Sequence, residues 1–170
     1  MSASRPTITQ VPTPAQALAS TALPGSDFSD AWRGQTPRTD VTAMQVALGM
    51  FKDPPRWVNG LMSVRDGIVG RFGLKTSEHL PAGSQSSSAG IFPVLLNTPT
   101  EVVLGADDKH LDFRIWVHVE PHAAGSQVTA STLVRTHNRF GRLYLATIMP
   151  FHRLLSRRML ARAIDQLGTK

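Results

Sequence analysis

The chain has 170 residues, 41 % apolar and 18 % charged, a composition that suits one soluble domain with a real core. It contains no cysteine, which excludes disulfides and thiol chemistry, and no apolar run approaches the length of a membrane span. The net charge of +6 is local: residues 135–170 hold eight Lys/Arg and one acid, whereas residues 1–134 hold ten and eleven.

Residues 1–26 are rich in Ser, Thr, Pro and Ala, too poor in large apolar groups to offset ordering entropy, and are expected as a loosely ordered arm ahead of a single domain, 27–170. The arm lacks the apolar run of a signal peptide, so a cytoplasmic location is expected. Asp27–Trp32 alternates weakly and predicts a first strand. Asp40 is a candidate N-cap for a helix over 41–52, where Val41, Met44, Leu48 and Phe51 share a face. Asp53-Pro54-Pro55 stops that helix and starts a second over 55–70. Thr76–Gly90, with its serine run, predicts a flexible surface loop, and Arg71–Glu78 is a candidate for a further strand.

Ile91–Leu96 is apolar but holds Pro93, which predicts an edge or a bulge. Glu101–Leu104 leads through the Gly105–Lys109 turn into a strand over 110–120, so the two predict a hairpin. In that second strand Leu111, Phe113, Ile115, Val117 and Val119 fall on one face, and His110, Asp112, Arg114, Trp116, His118 and Glu120 on the other. After a turn over Pro121–Ser126, Gln127–Thr136 alternates again, with Val128, Ala130, Thr132 and Val134 inward and Thr129, Ser131, Leu133 and Arg135 outward. Asn138 then predicts the cap of a long helix. Phe140, Leu143, Tyr144, Thr147, Phe151 and Leu154 form its largest apolar stripe, and Pro150 predicts a kink. Beyond Leu155 the stripe moves to Leu160, Ile164 and Leu167.

This order predicts an α+β helix-grip fold: a curved antiparallel sheet wrapped around a long C-terminal helix, with two short helices after the first strand plugging one end. The sheet needs a cover, and Phe140–Leu154 is the expected one. The segments Glu101–Arg114, Thr136–Leu145 and Pro150–Arg153 resemble the bacterial domain-of-unknown-function family 2867, over about residues 25–165. That resemblance implies a START-like, polyketide-cyclase-like helix-grip fold enclosing a cavity, and it carries no established chemistry.

The residues expected at such a cavity are Tyr144, His137, His110, Asp112 and Arg114. Histidine exchanges protons near neutrality and a carboxylate fixes its tautomer, so these groups suit ligand orientation or acid–base work. Alternation puts His110, Asp112 and Arg114 opposite the apolar face, which favours cross-strand ion pairing on a solvated face instead. Tyr144 lies on the apolar stripe, where a buried phenol needs a partner. His152 and Trp116 read as packing or surface residues. No metal site is expected, because the His and Asp spacings are loose and no His-x-x-x-His pair supports them. Gly67, Gly70 and Gly73 close a predicted helix rather than open one, so they do not form a phosphate loop. No Gly-x-Ser-x-Gly elbow occurs and no cofactor is implied.

Three functions are therefore open. The first is binding of a small apolar or amphipathic molecule in the cavity. The second is a cyclase- or hydrolase-like enzyme of the same fold using His110, Asp112 and Tyr144 or His137. The third is an interaction module in which Arg153, Arg157, Arg158 and Arg162 meet an acidic protein or a membrane. Nucleic acid is disfavoured, since aromatic side chains are sparse among these arginines.

Overall fold

The structure, a computed structural model, describes residues 6–52, 88–90 and 92–168. The second predicted helix (55–70), the candidate strand Arg71–Glu78 and most of the predicted loop Thr76–Gly90 lie outside the described residues. The elements are β1 (Thr9–Val11), α1 (Ala15–Ser20), β2 (Phe28–Thr36), α2 (Ala43–Phe51), β3 (Ser88–Ala89), β4 (Phe92–Asn97), β5 (Glu101–Asp107), β6 (Leu111–His122), β7 (Gly125–Thr136) and α3 (Arg139–Gly168). Residues expected as a loose arm thus carry a strand and a short helix, with Ile8, Ala17 and Leu23 buried.

The seven strands form one open antiparallel sheet in the order β1-β2-β7-β6-β5-β4-β3. It curves around α3. The predicted β5–β6 hairpin is present, in the register Val103↔Trp116 and Asp107↔Asp112. Pro93 sits in β4, whose register with β5 shifts between Val94 and Leu96. Gly125 closes the β6–β7 hairpin at φ +128°, where an added Cβ would lie 2.2 Å from the Thr36 carbonyl oxygen.

Helices α2 and α3 cover one face of the sheet. The core joins Val102, Leu104, Val117, Val119, Val128 and Ala130 from the strands to Val46, Ala47, Met50, Met159, Leu160, Ala163 and Ile164 from the helices. Small residues let these layers close. A Cβ on Gly34 would lie 2.5 Å from Ile8 Cδ1 and 2.6 Å from Ile164 Cδ1, and one on Gly49 would lie 3.1 Å from Ala163 Cβ. Helix α2 is capped by Thr42 rather than the predicted Asp40. Thr42 Oγ1 accepts from the Gln45 amide while Gln45 Oε1 accepts from the Thr42 amide. Asp40 is engaged by Arg38 at 2.5 Å instead.

Two sequence expectations about faces are corrected. The cover of the sheet is the C-terminal half of α3, not Phe140–Leu154: Leu143, Phe151 and Leu154 are exposed, whereas Leu160 is fully buried. The stripe that shifts azimuth after Leu155 is the one that fits the sheet, because Gly34, Ala47 and Gly49 there admit a close helix. The face of the sheet opposite α3 is also not simply solvated. Trp116, Val103, Leu133, Thr129 and Ser131 are all buried on it, with Ala17 of α1 packed on Trp116 and Val103.

Candidate functional site

The β5–β6 turn meets the β7–α3 junction at one end of the sheet, and this brings His110, Asp112 and His137 together. His137 Nε2 lies 2.9 Å from Asp112 Oδ1. The His137 amide donates to the His110 carbonyl at 2.9 Å. Asn138 ties the corner to the helix: its Oδ1 accepts from the Gly141 amide at 3.0 Å, the predicted cap, while its Nδ2 reaches His110 Nδ1 at 2.8 Å. A side-chain amide N–H can only donate, so His110 Nδ1 is the acceptor in this contact. The His110 ring packs on Phe140 at 4.8 Å. The close approach needs Gly141, where a Cβ would lie 2.2 Å from the His110 carbonyl oxygen.

Arg114 does not join this corner. It pairs with Asp107 at 2.7 Å and donates to the carbonyls of Ala106 and Phe113, so its fork is committed to the hairpin. Asp112 and Arg114 lie on the face away from α3, whereas Tyr144 is half-buried on α3 itself. The five nominated residues are thus divided between the two sides of the sheet. Trp116, on the far side, donates to Glu101 and stacks on His118 with ring centroids 5.0 Å apart.

A polar group that sequence reading passed over sits between the sheet and α3. Asp30, from β2, is 4 % exposed and faces the helix. Its Oδ2 accepts from Trp32 Nε1 at 3.2 Å, and both its oxygens lie 3.3 Å from His152 Nε2. Ser156 Oγ, one helical turn on, lies 3.3 Å from the same nitrogen. Phe28 meets the His152 ring edge-on at 5.7 Å. Asp, His and Ser are the residue types of a nucleophilic relay, but such a relay needs the acid and the hydroxyl on opposite ring nitrogens. Here both share Nε2, so the arrangement is a fixed polar cluster rather than a charge-transfer chain. The only sequence signal for it was Asp30 in an inward position of the first strand, with a single histidine on the long helix.

Across the sheet from Asp30 the register runs through Thr132, Ile115, Leu104 and Val94. The neighbouring row runs from Phe28 through Val134 to Phe113. Ile115, Val94, Phe92 and Phe113 are only half-buried, in contrast to the fully buried Val117 and Val102 in the next row, under α2. Phe92 meets Phe51 at 5.1 Å and Phe113 at 5.5 Å, both edge-to-face. The inner face thus carries partly buried apolar side chains packed against the core, beside the buried Leu104 and Val134, with the Asp30 cluster to one side. At the sheet's other end, a hollow of about 340 Å³ is lined by Thr42, Met44, Asn97, Thr98 and Pro99, none of which titrates. Among the described residues no group of three or more His, Cys, Asp or Glu is placed to hold a metal ion, and no helix is long and apolar enough to cross a membrane.

An open, curved antiparallel sheet wrapped around a long C-terminal helix defines a helix-grip protein of the START-like kind. Within that class the chain belongs to the family described as "Protein of unknown function (DUF2867)", whose model matches residues 22–159. No curated protein matches the chain in sequence.

Proposed function

We propose that this helix-grip protein binds a small amphipathic molecule between the sheet and α3, with its apolar body on Phe92, Phe113 and Ile115 and its polar end at His152 and Ser156. The observation that carries the reading is Asp30. A carboxylate on the helix-facing side of a sheet is costly to bury, and apolar residues would pack there with less penalty. Trp32 and His152 hold it in place beside partly buried apolar side chains, and a mostly apolar lining with few fixed polar groups is how small-molecule sites are built.

The same carboxylate selects the ligand's polar end. A second carboxylate beside Asp30 would be repelled, so a neutral hydroxyl, able to bond Ser156 Oγ or the His152 ring, fits better. Trp32 donates to Asp30 and so reports on the site. Fluorescence titration with a fatty alcohol and with the fatty acid of equal length tests this. Saturable quenching by the alcohol, stronger than by the acid and lost in Trp32→Phe, supports the reading. Native mass spectrometry of protein taken directly from cells is the companion measurement. No saturation with either compound, together with no added mass, would sink the proposal.

A further inference from the structure

The outer face of α3 combines exposed apolar groups with exposed arginines. Leu143 is 68 % exposed, Phe151 55 % and Leu154 45 %. At about 100° per residue, these three and the exposed Thr147 fall within an arc of about 80°, along about 16 Å of helix. Thr147 donates its hydroxyl to the Leu143 carbonyl, so its polar group is already satisfied by the helix. Arg139, Arg142, Arg153 and Arg157 run along one flank of this ridge, and Arg158 follows it at the C-terminal end; all five are exposed. Arg142 acts through space on the Asp27 carboxylate, and none of the five forms a close ion pair with a described residue. The helix contains one acid, Asp165, beyond the ridge. The opposite side of α3 is pinned to the sheet through Leu145, Met159, Leu160 and Ile164, so the ridge is held outward.

We propose that this face docks the protein on an anionic lipid surface, with Leu143, Phe151 and Leu154 entering the headgroup layer and the flanking arginines pairing with lipid phosphates. An interfacial helix has this composition: Leu and Phe on one strip, arginines beside it, little acid. Guanidinium groups suit phosphate oxygens because their planar fork binds two at once. A second copy of the chain is a poor occupant, since two such arginine-lined faces repel. An acidic protein would have to supply a groove matched to a narrow convex ridge, whereas a lipid surface deforms around it. The inference stands on the outside of α3 and does not depend on a ligand inside the grip.

Cosedimentation with phosphatidylcholine vesicles, with and without phosphatidylglycerol, tests it on the full chain. Binding is expected only with the anionic lipid, and it should weaken as salt is raised. Arg153→Gln with Arg157→Gln should lower partitioning by about 25-fold, at about fivefold per arginine. Phe151→Ser with Leu154→Ser should also lower it while leaving the melting temperature close to that of the parent, because both side chains are exposed. Three results would overturn the proposal: no binding to the anionic vesicles, binding indifferent to salt, or binding unchanged by the two serine substitutions. Equally tight binding to polyglutamate that survives those substitutions would also overturn it, in favour of an acidic protein.

Discussion

Leu160→Ala and Leu143→Ala make the same chemical change on one helix, and their costs are expected to differ several-fold. Leu160 is 0 % exposed and packs in the core beneath the sheet, so truncation removes buried methyl groups and leaves a cavity. Such losses run about 2.7–5 kcal/mol. Leu160 is among the largest fully buried side chains, which places the expected cost at about 3 kcal/mol or more. At about 2–4 °C per kcal/mol for a domain of this size, the melting temperature should fall by about 6–12 °C. Leu143 is 68 % exposed, so its truncation should stay within about 0.5 kcal/mol, helped by the higher helix propensity of Ala. Urea unfolding with a common m-value measures both. Equal costs, or a larger cost at Leu143, would mean that the Phe140–Leu154 stripe covers the sheet after all, and the assignment of inner and outer faces of α3 would be wrong.

Gly141→Ala should destabilise the protein by about 1–3 kcal/mol, although Ala normally favours a helix, because its Cβ would meet the His110 carbonyl oxygen at 2.2 Å; a neutral or raised melting temperature would contradict the corner geometry. Ser131→Ala removes a buried hydroxyl that has no hydrogen-bond partner among the described residues, and a gain of up to about 1 kcal/mol is expected in chemical denaturation. Asp27 accepts from the Thr136 hydroxyl and amide, both at 2.6 Å, and these bonds, led by the hydroxyl and aided by Arg142 and Arg135, hold its carboxyl below the usual carboxylate range. A folded pKa below the unfolded one stabilises at pH values above the unfolded value and is lost as pH falls through the folded one. The stability gap between the parent and Asp27→Asn should therefore be full near neutrality and shrink below about pH 4; a gap independent of pH would show that the charge is not what matters.

The α+β order of elements was legible because each element carries a local signature. Period-two alternation marked β6 and β7, Asn138 marked the start of α3, and Pro93 marked the irregular strand β4. The corner that joins His110, Asp112 and His137 was also legible in part, since chain order puts a hairpin turn and a helix start at one end of the sheet. Thr9–Val11 and Ser88–Ala89 were not, because two or three residues are too few to show a period, and they become strands only by borrowing hydrogen bonds from β2 and β4. The Thr42 cap was missed for a related reason: Asp40 is an equally good capping type, and only the path of the chain sends it to Arg38.

The sequence by itself determined the periods, the breaks and the charge of α3, which are properties of neighbouring residues. It could not determine which of two apolar stripes on α3 faces inward, since both have helical spacing and burial depends on the partner surface. Tertiary structure decided that, through Gly34 and Gly49, whose missing side chains let Ile164 and Ala163 approach and so dock the second stripe. The same docking carries His152 over Asp30, from a position 122 residues away in the chain, and leaves Leu143, Phe151 and Leu154 facing outward. A contact of that range is set by how layers close, not by any local pattern.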